Sequence, residues 1–111
     1  MLTKITYLKN AVLYVKAQGK LDIYNAQDYL DEIKEHLQKY VKELVLDFSK
    51  ISYVSSIGLR VILELHKIMQ DKKGLLKLKN VDENVLHVFK ITGFDKFLTI
   101  DNDSDNGLTE N

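Results

Sequence analysis

A chain of 111 residues has room for one compact domain, and 45% hydrophobic residues allow it a core without staples. Cysteine is absent, which excludes disulfides and thiolate metal sites, and 16 Lys plus Arg against 16 Asp plus Glu leave no formal net charge. That balance argues against nucleic acid, which selects basic faces, and points to proteins or small molecules as partners.

No apolar run approaches the roughly 20 residues needed to span a bilayer. Met1 to Ile5 lack the basic-then-apolar pattern of a signal peptide. The chain therefore reads as cytoplasmic and without a membrane contact.

Residues 3–8 and 11–17 are β-rich runs separated by Lys9-Asn10, with Leu13 and Val15 on one face by period two. They predict an antiparallel hairpin whose second strand is broken by Gly19. Asn25 is placed as an N-cap, and Asp28, Asp31 and Glu32 favour the positive end of a helix over about 26–40. Leu30, Ile33 and Leu37 form its apolar stripe. Glu43 to Phe48 reads as a strand covered on both faces, and Ile51 to Val54 as a separate extended piece.

Ser55 or Ser56 opens a second helix to about residue 72, with Leu59, Ile62, Leu63, Leu65, Ile68 and Met69 apolar. Gly74 stops it. Leu75 to Leu78 predicts a strand, Glu83 to Ile91 a helix closed by Gly93, and Phe97 to Ile100 a last edge strand. The order predicts a single α/β domain over 1–100: a central mixed sheet of four or five strands. Right-handed crossovers put its three or four helices mainly on one face. Residues 101–111 carry no core-facing pattern and are expected to form a mobile acidic tail.

The chemistry concentrates between Leu44 and Met69. Ser55 and Ser56 sit at a helix entrance whose first turn has unpaired N–H groups. Ser is a preferred N-cap, so the bland reading is a strand end and a cap. Gly58 in that first turn weakens a helix by up to about 1 kcal/mol relative to Ala. Either it permits close backbone packing, or a ligand approaches from outside.

His36, His66 and His87 lie on three separate predicted helices with no paired-ligand spacing. No triad order, nucleophile elbow or Gly-rich phosphate loop accompanies Ser56. Asp101 to Asp105 fails as a calcium loop because Gly107 falls one place late. A hydrolase built on Ser56 would also need a base and an enclosed cleft. The reading assigns no catalytic residue, metal or cofactor.

Asp47-Phe48-Ser49 followed by Tyr53-Val54-Ser55-Ser56-Ile57-Gly58-Leu59 resembles the signature of the STAS domain, the fold of bacterial anti-sigma factor antagonists. Gly19-Lys20-Leu21-Asp22 with Asn25-Ala26 is similar to that family's second landmark. Ile91-Thr92-Gly93-Phe94-Asp95-Lys96-Phe97 is similar to its third. The three run in order over about residues 3–100.

The resemblance implies partner switching. Unphosphorylated, such a protein binds an anti-sigma factor that is also a serine kinase, releasing a sigma factor. The kinase then phosphorylates the antagonist, and a serine phosphatase resets it. Aligned on Gly58-Leu59, the family's Asp-Ser-(Ser/Thr/Ala)-Gly-Leu motif puts the acceptor at Ser56, with Ser55 ranked second. Ser55, Ser56, Ile57, Gly58 and Arg60 are the expected partner-binding residues on this segment, joined by Asp22, Tyr24 and Asn25.

On turn chemistry alone, Asp22 reads equally as a turn-forming acid. A phosphate at a helix N-terminus meets unpaired N–H groups, so the fold tolerates it. Its −1.5 to −2 charges, roughly, suffice to break a complementary interface. A homodimer is compatible with this scheme. The alternative is a STAS-type module in another signalling or scaffold complex, never phosphorylated, because Ser55 stands where the motif has Asp.

Overall fold

The computed structural model describes residues 3–102. The chain opens with β1 (Thr3–Lys9) and β2 (Val12–Leu21), paired antiparallel. Asn10 and Ala11 join them with φ of 51° and 67°. Two successive positive φ values make the turn whose twist matches that of the strands.

β2 does not stop at Gly19. Gly19 pairs with Ile51 of β3 (Glu43–Val54), and the strand runs on to Leu21. Pairing with β3, which continues to Leu21 opposite Val54, overrides the weak strand preference of glycine.

β3 is likewise one strand of 12 residues rather than two pieces. Lys16 pairs with Asp47 and Gln18 with Lys50, so Phe48 and Ser49 together oppose Ala17. Gly19 pairs with Ile51 and Leu21 with Val54, so Ser52 and Tyr53 oppose Lys20. Each extra residue is absorbed as a bulge, which bends the strand without ending it.

α1 (Ala26–Glu35) follows β2 and stops about five residues before the expected end. Beyond it, the Gln38 and Lys39 carbonyls accept from Lys72 Nζ at 2.7 and 3.4 Å. Val41 drops into the core. Both tie the segment to distant parts of the chain, and a continuing helix could satisfy neither. α2 (Ser56–Asp71) follows β3, and β4 (Leu75–Lys79) follows α2.

α3 (Glu83–Thr92) ends at Gly93, whose φ of 82° supplies the left-handed C-cap. A 3-10 turn over Phe94–Lys96 comes next, so Phe97 lies outside the last strand, β5 (Thr99–Asp101). The Asn102 side chain bonds the Val81 N–H (2.8 Å) and C=O (3.0 Å). Asp101 and Asn102 thus belong to the fold rather than to a tail. The tail expectation for residues 103–111 falls outside the described residues.

The sheet has five strands in the order β1-β2-β3-β4-β5, with every pair after the first parallel. Right-handed crossovers between sequential parallel neighbours place all three α-helices on one face. Leu13, Val15 and Ala17 of β2, with Leu44, Leu46 and Phe48 of β3, point to that side. They meet Leu30 and Ile33 of α1, Ile62, Leu65 and Met69 of α2, and Phe89 of α3. Fully burying one such side chain contributes about 1.5–3 kcal/mol.

The Glu43–Phe48 stretch is therefore covered by helices on one face only. On the other, Val45 is flanked by the half-buried Glu43 and Asp47, with Lys77 3.5 Å from Glu43.

Candidate partner-binding site

The end of β2 and the start of α2 meet at one carbonyl. Leu21 C=O accepts from the Ser55 N–H (3.0 Å) and from the Ser55 hydroxyl (3.0 Å). Ser55 Oγ in turn accepts from the Gly58 N–H at 3.3 Å, which makes Ser55 the N-cap of α2. Its hydroxyl is therefore committed to the scaffold.

Ser56 is the first helical residue and is exposed. Among the described residues its hydroxyl has no hydrogen-bond partner. It stands beside the first-turn N–H groups at the positive end of α2, where negative charge is favoured.

Gly58 is required for packing. A Cβ there would lie 2.6 Å from the Leu21 carbonyl oxygen and 3.0 Å from both Leu21 Cγ and Val54 Cγ1. The first turn of α2 rests directly on the backbone of β2. That contact brings the loop after Leu21 alongside the serine turn.

Two side chains lock this loop. The Asp22 N–H donates to Asn25 Oδ1 at 2.9 Å, and Asp22 Oδ1 accepts from the Tyr24 N–H at 2.9 Å. The Asp22 carbonyl accepts from the Ala26 N–H at 2.9 Å. Asn25 holds the N-cap position of α1, but its side chain makes no capping bond and reaches back to Asp22. The locked turn pushes Ile23 and Tyr24 outward, 72% and 90% exposed.

From Ile23 a groove of about 410 Å³ runs between α1 and α2. Ala26, Gln27, Leu30 and Lys34 form one wall, and Ile57, Arg60, Val61 and Glu64 the other. Ser56 immediately precedes Ile57, at the end of the second wall.

Asp22, Tyr24 and Asn25 thus lie in the loop that starts at the serine turn, and Ile57 and Arg60 line the groove. Ile23, Gln27, Lys34 and Glu64 were missed from sequence. The signal for Glu64 was present: Ile57, Arg60, Val61 and Glu64 follow the i, i+3, i+4, i+7 spacing of one helix face.

Among the described residues no three His, Asp or Glu side chains gather as a metal site. No helix there is long and apolar enough to cross a membrane.

The STAS domain family model matches residues 4–107. BtrV of Bordetella bronchiseptica is 33% identical over 85 residues, 77% of this chain and 73% of that protein. The anti-sigma-B factor antagonist of Bacillus subtilis is 30% identical over 96 residues, 86% of this chain and 87% of its own. The Bacillus cell fate determinant SpoIIAA in its phosphorylated form is similar in fold, with a TM-score of 0.70 at 16% identity. That likeness covers 93% of this chain and 94% of the other. The family match spans nearly all of the fold just described, and the relatives align over most of their own length. The chain belongs to the STAS domain family, alongside proteins named anti-sigma factor antagonists.

Proposed function

We propose that this protein is an anti-sigma factor antagonist that binds its partner at the Ser56 end of the α1–α2 groove and is released by phosphorylation of Ser56. The observation that carries the reading is the division of labour between neighbouring serines. Ser55 spends its hydroxyl on Leu21 and Gly58, whereas Ser56 presents its own to solvent. Ile23 and Tyr24 beside it supply the exposed apolar and aromatic surface that anchors interfaces.

In this scheme the partner is a cytoplasmic anti-sigma factor with serine kinase activity. It contributes the nucleotide and the catalytic groups, so the antagonist needs no cofactor or catalysis of its own. A serine phosphatase resets the switch. Residues 3–102 form the working domain. The phosphate adds about −1.5 to −2 charges to the rim of the interface, and the N-terminus of α2 tolerates it.

One observation favours a module that is never phosphorylated: Ser55 stands where the family motif has Asp, and its hydroxyl is bound to Leu21. It cannot stand in for a carboxylate.

Affinity capture from the native host tests the proposal. Wild-type protein should retain an anti-sigma factor with a kinase fold, and Ser56→Asp should lose it. Tyr24→Ala should weaken retention by about 2 kcal/mol, the scale of an aromatic anchor. Equal retention of the partner by Ser56→Asp would contradict it.

A further inference from the structure

Arg60 is the sole arginine in a chain that has 15 lysines. It is exposed on the α2 wall of the groove and makes no hydrogen bond or ion pair among the described residues. Two groups lie four residues from it along the helix: Ser56 towards the N-terminus and Glu64 towards the C-terminus.

Residues four apart on a helix are neighbours, and an acid preceding its base pairs better than the reverse. Arg60 and Glu64 have the poorer order and form no ion pair. A phosphate on Ser56 would have the better order, roughly 1.5 to 2 times the charge of a carboxylate, and the oxygen geometry that a guanidinium grips with two bonds.

We propose that Arg60 clamps the Ser56 phosphate and is thereby withdrawn from the groove, a role that rests on Ser56 as the acceptor. The groove carries two cations, Lys34 and Arg60, against one carboxylate, Glu64. Phosphorylation then acts twice. It places negative charge at the rim, and it cancels the positive charge that the groove offers a partner's carboxylate. Lysine suits this role less well, being a compact charge without the planar fork.

The test uses the full chain with phosphoserine incorporated at position 56 during synthesis, so that no native kinase is needed. The second ionisation of the phosphate is followed by phosphorus NMR in wild type, Arg60→Gln and Arg60→Lys. It lies near 6 for phosphoserine generally. It should fall roughly half a unit lower in wild type than in Arg60→Gln, with Arg60→Lys between them. The single arginine Nε–H resonance should move as the phosphate ionises.

Equal ionisation in wild type and Arg60→Gln, or an unmoved Nε–H resonance, overturns the clamp. Absence of phosphate on protein from the host would instead defeat the choice of Ser56 as acceptor. The two failures are distinguishable.

Discussion

The Ser55 hydroxyl donates to the Leu21 carbonyl across 3.0 Å, joining residues 34 apart in the chain. Through this bond the end of β2 positions the first turn of α2. The neighbouring hydroxyl, on Ser56, is exposed and makes no hydrogen bond among the described residues.

Ser55→Ala and Ser56→Ala should therefore differ in stability. Removing the cap costs about 1 kcal/mol, whereas an exposed first-turn Ser56→Ala stays within about 0.5 kcal/mol of wild type. Urea unfolding of the two variants separates them. Equal losses would mean that the cap assignment is wrong.

Gly58→Ala should destabilise even though alanine favours a helix by up to about 1 kcal/mol. The added methyl meets the Leu21 carbonyl at 2.6 Å, backbone that cannot swing aside. A net loss of about 1–3 kcal/mol is expected, as for overpacking elsewhere. A rise in Tm would show that β2 and α2 can separate freely.

Much of the layering was legible in the residues. Period two at Leu13 and Val15, and helical spacing at Leu30 and Ile33, reported the buried faces directly. The bounds of α2 came through to within a residue. Gly58 left packing and ligand approach open until Leu21 appeared beside it.

What stayed hidden depended on distant partners. β3 looked broken because its bulges are defined only against β2. α1 looked longer because the Lys72 side chain that claims the Gln38 carbonyl lies 34 residues away. The groove was invisible because Ile23 and Ile57 come to line the same groove only once Leu21 is joined to Ser55.

Ala11 adopts φ of 67°, a conformation that costs an ordinary residue about 1–2 kcal/mol. Ala11→Gly should raise stability by up to about 1 kcal/mol, after the greater unfolded-state freedom of glycine is deducted. Thermal unfolding reads this directly, and a lower Tm would contradict it.

Asp47 connects pH to stability. Burial pushes its carboxyl upward, but bonds from the Ser49 N–H and the Asn80 amide, with the charge of Lys16, outweigh it and leave the group below its ordinary value. A folded-state value below the unfolded one contributes stability above the unfolded value, near 4. That contribution disappears as pH falls through the folded value. Wild type should exceed Asp47→Asn in stability at pH 7, and the gap should close below about pH 4. A constant gap would remove the carboxylate from the account.

Intact-mass analysis of the protein recovered from its native host, beside Ser56→Ala and Ser55→Ala, tests the central claim most directly. The account predicts a phosphate-sized gain in wild type and Ser55→Ala that is absent from Ser56→Ala. A gain that survives in Ser56→Ala, or a single unmodified mass under every growth condition, would contradict it.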